Sequence, residues 1–222
     1  MTDSSPPDYS FVWSSKDSAR PHSLALSHDR RFVFSGGTAN TLVKRDLRTG
    51  EIVTSVTATH NSINIWMIAL ASPTSLVSCG FGDNVVKVWN LDLEQQQELQ
   101  HPSKVYSVAA SPDLLASRCE SGVVGLWELG GEEKWEKKKS LEDHKGSVYA
   151  MVFSSNGEML ATSGMDKKIN VYSVANDFSR MHTLEGHTGW VWSLSFSPES
   201  TRLVSCSNDK AIRCGIRRRE RC

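Results

Sequence analysis

The chain has 222 residues, of which 39% are hydrophobic and 23% charged, and its 25 Lys and Arg balance 25 Asp and Glu to a formal net charge of zero. That composition is ordinary for a globular protein long enough to bury a sizeable core. Bulk charge gives no push toward nucleic acid or an anionic membrane, and no stretch approaches the 18 or so apolar residues of a spanning helix.

In chain order, the first ten residues are polar, carry Pro6-Pro7 and lack the basic start and apolar run of a secretory signal. Residues 1–8 are expected to be disordered. From Tyr9 onward the chain reads as short apolar strands separated by turns, in five units of similar length: 9–50, 51–93, 94–132, 133–177 and 178–216. The fifth is the clearest. Trp190 to Phe196 is an apolar strand, Ser197-Pro198-Glu199-Ser200 a turn in which proline presets one dihedral, and Arg202 to Cys206 a second strand. Ser207-Asn208-Asp209-Lys210 is a tight hairpin turn and Ala211 to Gly215 a third strand. The fourth unit repeats this order through Val148–Phe153, Met159–Ser163 and Ile169–Tyr172. Segments such as Glu94–Leu99 and Arg180–Leu184 add a fourth, more polar strand, as expected where an edge faces water. The mixed-charge run Gly130–Lys139 fits an outer strand and loop on a solvated face.

A histidine sets the period. His60, His101, His144 and His187 are separated by 41, 43 and 43 residues, and each precedes an aliphatic residue (Ile65, Val105, Val148, Val191) by four or five positions. Self-similarity at a fixed period of this size marks an array of identical small units. Four short strands per unit, with Gly-His near the start and Trp-Asp-like pairs near the end, resemble the WD-repeat β-propeller family. The resemblance rests on Leu184-Glu185-Gly186-His187, Phe196-Ser197-Pro198, Asn84–Asn90 and Asp46–Glu51, and covers nearly all of residues 9–216. It implies an all-β propeller of about five four-stranded antiparallel blades, read here as part of a larger, seven-bladed type of ring. The other arrangement is a ring closed at five, with Tyr9–Ser14 completing the last blade.

The resemblance also implies a buried hydrogen-bonded set in each blade. The second unit offers His60, Ser78, Asp83 and Trp89. The third offers His101, Ser117 and Trp127, with Ser121 where the aspartate belongs. The fourth offers His144, Thr162, Asp166 and Tyr172, and the fifth His187, Ser205 and Asp209. The first unit is the most degenerate, with Asp17, Ala39 and Arg45 at the corresponding places. A Ser, His and Asp in every repeat could suggest a hydrolase, but catalysis needs one asymmetric, partly open constellation. A recurring trio tied to strand and turn positions reads as bracing. No catalytic, metal-binding or cofactor-binding residue is therefore assigned. Ser35-Gly36-Gly37-Thr38 is a strand-end turn rather than a phosphate loop, and the histidines and cysteines show no zinc spacing. Five cysteines without a C-x-x-C pair read as reduced thiols and an intracellular chain, cytoplasmic or nuclear.

The functional expectation lies beside the strand-one aliphatics. Trp66, Tyr106, Tyr149 and Trp192 directly follow them, and Trp190 and Lys104 directly precede two of them. Strand alternation places these flanking residues on the face opposite the aliphatic, which in the family points to the top rim. The turn residues Gly82, Glu120, Met165 and Asn208 are expected beside them. Trp66, Lys104, Tyr106, Glu120, Tyr149, Met165, Trp190, Trp192 and Asn208 then form a partner-binding surface, since aromatic residues dominate interaction hot spots. The chain is expected to be a non-catalytic scaffold holding other proteins or peptides, a subunit of a complex, with no membrane role and no direct sign of nucleic acid. The alternatives are an adaptor in an RNA-processing or ribosome-assembly particle, supported only by scattered basic residues, and, less favoured, an enzyme at the channel mouth. Residues 217–222, Arg217-Arg218-Arg219-Glu220-Arg221-Cys222, form a basic tail unlike the repeats. The aromatic expected near the end of the fifth unit is missing at Gly215.

Overall fold

A computed structural model describes residues 13–14, 20–57, 59–62 and 64–216. The expected disordered segment 1–8, most of the strand Tyr9–Ser14, Asp17 and the basic tail 217–222 lie outside the described residues.

Among the described residues, nineteen strands form five antiparallel sheets. The first holds β1 (Pro21–Leu26), β2 (Phe32–Gly37), β3 (Leu42–Asp46) and β4 (Ile52–Val56). The second holds β5 (Ile65–Leu70), β6 (Ser75–Gly80), β7 (Val85–Asn90) and β8 (Gln95–Gln100). The third holds β9 (Val105–Ser111), β10 (Leu114–Cys119), β11 (Val124–Leu129) and β12 (Trp135–Leu141). The fourth holds β13 (Val148–Phe153), β14 (Met159–Gly164), β15 (Ile169–Ser173) and β16 (Ser179–Leu184). The fifth has three strands, β17 (Val191–Phe196), β18 (Arg202–Ser207) and β19 (Ile212–Ile216). Each sheet is a meander of hairpins, so every strand pairs with its sequence neighbour. The middle strands are buried on both faces and rich in small and β-branched residues, as in Met159–Gly164, where every residue is buried. The outer strands β8, β12 and β16 are largely polar and exposed, as in Ser179–Leu184, which keeps those edges soluble, whereas β4 exposes Ile52 and Val53.

The core is not a single mass. Four separate clusters fill the four gaps between consecutive sheets. Between sheets 1 and 2, Phe34 and Leu42 meet Ile65, Ile68, Leu76 and Trp89. Between sheets 4 and 5, Ala161, Ile169 and Val171 meet Val191, Leu194 and Leu203. The innermost strands pack in the order β1, β5, β9, β13, β17. Each sheet is thus stabilised by its neighbours, the behaviour of a linear repeat array.

The two ends of the array are open among the described residues, with β17 and β1 not packed extensively on each other. Ile212 pairs with Cys206 in sheet 5 just as Ile169 pairs with Ser163 in sheet 4. Ile169 is 4% exposed beneath sheet 5, whereas Ile212 is 76% exposed. At the other end, Leu24 and Leu26 are 66% and 54% exposed. Trp13, from the segment considered for closing the last blade, sits on sheet 1: its Nε1–H donates to the Leu47 carbonyl at 2.7 Å. Its ring lies where a Cβ on Gly50 would fall, and Gly50 has φ of +77°, so both space and backbone demand glycine there.

Candidate functional site: an aromatic rim on buried histidine braces

The braces hold the turns that carry the rim. His60 Nδ1 lies 2.8 Å from Asp83 Oδ2 and Nε2 lies 2.7 Å from Ser78 Oγ. A carboxylate only accepts, so Nδ1–H is the donor and Nε2 is left to accept from the Ser78 hydroxyl. The Ser78 oxygen then accepts the Trp89 Nε1–H at 2.8 Å. The same aspartate receives the Asn61 backbone N–H at 3.3 Å. Four residue types, two from strands β6 and β7 and two from the connections beside them, are locked by one chain of hydrogen bonds.

The other sheets vary this arrangement. His144 bridges Asp166 at 2.9 Å and Thr162 at 2.7 Å, while the Tyr172 hydroxyl donates to Asp143 at 3.1 Å. His187 bridges Asp209 at 2.7 Å and Ser205 at 2.9 Å. Gly215 stands opposite Leu203, the place that Tyr172 holds opposite Leu160. In sheet 3, Ser117 lies 3.2 Å from His101 Nε2 and accepts the Trp127 Nε1–H at 3.0 Å. Ser121 bonds instead to Ser103, hydroxyl to hydroxyl at 3.2 Å. Burial, with a contribution from Lys137, pushes the His101 pKa down to about 4. His60 is also held below its ordinary value by burial, although Asp83 pulls the other way. In sheet 1, Asn40 does a different job: its side chain bonds to the backbone of His60 and to the Thr59 hydroxyl, tying the first sheet to the second.

The rim is built by a β-bulge repeated in every sheet. The register of the inner pair slips between Pro21 and Ser23, Ile65 and Met67, Val148 and Ala150, and Val191 and Ser193. In sheet 3 the slip falls where Arg118 pairs with Ser107 and Cys119 with Val105. The unpaired residues are therefore His22, Trp66, Tyr106, Tyr149 and Trp192. A bulge re-aims the side chain it carries. Simple alternation does not describe these positions; the extra residue turns its ring out at the end of the sheet, while Ile65, Val105, Val148 and Val191 stay fully buried.

A second ring of residues sits beside the bulges. The backbone N–H groups of Phe81, Glu120, Met165 and Asn208 donate to the carbonyls of Asn64, Lys104, Ser147 and Trp190 at 2.8–3.0 Å. Phe81, not Gly82, is the equivalent of Glu120, Met165 and Asn208. Counting back from the aspartate misplaces it because the β6–β7 turn holds an extra residue, Gly82, at φ of +89°.

These residues collect into two aromatic clusters. In one, Trp66 lies with ring centroids 5.5 Å from His22 and 5.4 Å from Phe81, and Phe81 lies 6.0 Å from Tyr106. In the other, Tyr149, Trp190 and Trp192 are in mutual contact at 4.4–5.9 Å. Four of the rings are not interior packing: Trp66, Phe81, Trp190 and Trp192 are 43%, 47%, 38% and 46% exposed, while Tyr106 and Tyr149 are half-buried beside them. Met165 is 44% exposed, Lys104, Glu120 and Asn208 are exposed, and the Tyr106 hydroxyl donates to Glu120 at 3.4 Å. Between the clusters lies Arg118, with its guanidinium 5.8 Å from the Tyr106 ring centroid. Sequence reasoning passed over Phe81, His22 and Arg118. The turn insertion hid the first, the second follows a proline where the others follow an aliphatic, and the third lies inside a second strand. Among the described residues no cluster of His, Cys, Asp and Glu is arranged to hold a metal ion.

Repeated antiparallel sheets with one core per gap, three of them carrying a His–Ser/Thr–Asp brace, define a propeller-type β-repeat protein. The family model for "WD domain, G-beta repeat" matches residues 135–173 and 178–214, so these two stretches are WD repeats. It is 34% identical over 113 residues to the probable cytosolic iron-sulfur protein assembly protein 1 of Malassezia globosa, a match covering 46% of this chain and 31% of that protein. It is 33% identical over 121 residues to protein transport protein SEC13 homolog B of Arabidopsis thaliana, covering 49% and 40%. Over 112 residues it is 29% identical to the ribosome biogenesis protein WDR12 homolog of Chlamydomonas reinhardtii, covering 46% and 25%. The matched stretches thus span well under two thirds of these relatives.

Proposed function

We propose that the chain is a non-catalytic protein-interaction scaffold that assembles an intracellular complex by docking a partner protein on the aromatic rim. The observation that carries this reading is the outward placement of large rings at a bulge recurring in every sheet. Water-facing tryptophans in two contiguous clusters are costly to leave uncovered and supply the kind of area that binding hot spots use. The rigid sheets beneath would present them with little ordering cost. The braces support the non-catalytic side of the reading. His60, His144 and His187 have both ring nitrogens engaged and are buried, so none is free to act as a general base on a substrate. The relatives' names also belong to protein assembly, protein transport and ribosome biogenesis rather than to one reaction.

A photo-crosslinking amino acid at Met165, on the rim, and another at Met181, on the outer strand β16, tests the reading. Both positions are exposed, at 44% and 41%. Discrete adducts from cell extract are expected at Met165. Adducts at Met181 with none at Met165 would move the docking surface to the outer strands.

A further inference from the structure

The residue before Cys119 breaks a rule the other sheets keep. Counting one position past the brace hydroxyl on the second strand gives Gly36, Cys79, Ser163 and Cys206 in sheets 1, 2, 4 and 5, and Arg118 in sheet 3. This position faces the next sheet close to its bulge. Gly36 has no room for a side chain, since a Cβ there would meet Ile65 at 2.7 Å. Ser163 makes a small contact, its hydroxyl donating to the Val191 carbonyl at 3.3 Å. In sheet 3 a guanidinium fills the equivalent place and one of its terminal N–H groups donates to the Val148 carbonyl at 2.6 Å.

That bond does not account for an arginine, because a hydroxyl makes the equivalent bond in sheet 4. The rest of the guanidinium is poorly compensated. Its Nε is buried with no hydrogen-bond partner, and no carboxylate among the described residues forms an ion pair with it. Glu120, the nearest acidic residue on the rim in sequence, takes the Tyr106 hydroxyl instead. What surrounds the charge is aromatic: the Tyr106 ring is 5.8 Å from the guanidinium carbon, and burial holds the pKa below its ordinary value, with only Cys79, Tyr106 and Tyr149 opposing that effect. A half-buried cation without a counter-charge is costly and is retained where something else supplies the charge.

We infer that Arg118 is the recognition point for a single carboxylate on the docked partner, set between the Trp66–Phe81–Tyr106 and Tyr149–Trp190–Trp192 clusters. One buried guanidinium matches one negative charge, and its planar fork favours a carboxylate over a neutral amide. The partner segment would place an aliphatic or aromatic side chain on each cluster and an Asp or Glu, or a chain-terminal carboxylate, between them. This inference rests on the rim being the docking surface.

Random heptapeptide phage libraries test both, one displaying internal sequences and one ending in a free carboxylate, panned on the wild-type chain and on Arg118→Gln, Arg118→Lys, Trp66→Ala and Trp192→Ala. The glutamine variant keeps a donor for the Val148 carbonyl, and the lysine variant keeps the charge. Wild-type protein is expected to select an acidic residue at one fixed place, or sequences only from the free-carboxylate library. In a selected peptide, Glu is expected to bind about tenfold or more tightly than Gln. The preference should vanish with Arg118→Gln and survive in part with Arg118→Lys. Peptides that need Trp66 or Trp192 but carry no acidic preference, or a preference that survives Arg118→Gln, overturn the carboxylate inference and leave the docking surface standing. Selection that is indifferent to both tryptophans, or absent, overturns the docking surface itself.

Discussion

The indole of Trp192 lies stacked on the Tyr149 ring, with centroids 4.4 Å apart and planes 26° from parallel. One residue comes from sheet 5 and the other from sheet 4, and each is the unpaired member of its sheet's bulge. The contact ties neighbouring blades together at their exposed end, so the rim behaves as a preassembled surface rather than a set of loose side chains. Offset stacking of this kind contributes about 0.5–1.5 kcal/mol beyond the area it buries.

The missing carboxylate in sheet 3 has a pH consequence. The folded-state pKa of His101 is lowered to about 4 from an unfolded value of 6.5. As pH falls through 6.5 the unfolded chain takes up a proton that the folded chain refuses, so stability falls between pH 6.5 and 4 and levels off below. The full loss is about 3 kcal/mol. Ser121→Asp restores the carboxylate that His60, His144 and His187 possess. It is expected to raise the His101 pKa, read from its imidazole NMR signals, and to flatten that part of the stability profile from urea titrations. An unchanged His101 titration in the variant would contradict the account of the brace.

The open ends predict self-association. Ile212 at one end and Leu24 and Leu26 at the other present apolar faces that internal blades bury against each other. Since each internal gap joins one kind of face to the other, two copies can meet head to tail. Sedimentation velocity is expected to show concentration-dependent association that Leu24→Ser with Ile212→Ser reduces. Equal association in the double variant would place the contact elsewhere.

Thiol labelling should separate the described cysteines into two classes. Cys79 and Cys119 are buried, and burial pushes the Cys79 pKa up to about 12. Cys206 and Cys214 are exposed. Maleimide is expected to modify Cys206 and Cys214 at neutral pH and to reach Cys79 only after denaturant is added. Rapid modification of Cys79 in the native protein would mean that the gap between sheets 2 and 3 opens readily.

Much of this arrangement is legible in the amino-acid sequence alone. The histidine period, the aliphatic four or five residues on, and the turn residues located the strands, because a repeated unit writes the same constraint several times. What stayed hidden was what a count cannot see. Strand alternation assigns Trp66 and Tyr149 to a face but says nothing of the bulge that turns them outward. One inserted glycine in a single turn moved Phe81 out of register with Glu120 and Met165. Arg118 sits among small residues of a second strand, and its unpaired charge becomes visible only when the neighbouring sheet is in place.

The most direct test of the central claim is to compare partner capture with thermal stability for Trp66→Ala and Trp192→Ala. Both side chains are more than two fifths exposed, so each substitution should cost about 1–2 kcal/mol of stability, the Trp192 value including the lost stack on Tyr149. The account predicts loss of captured protein, read by mass spectrometry, with a melting temperature within a few degrees of wild type. Undiminished capture together with a large fall in melting temperature would show that the rings serve the fold and not a partner.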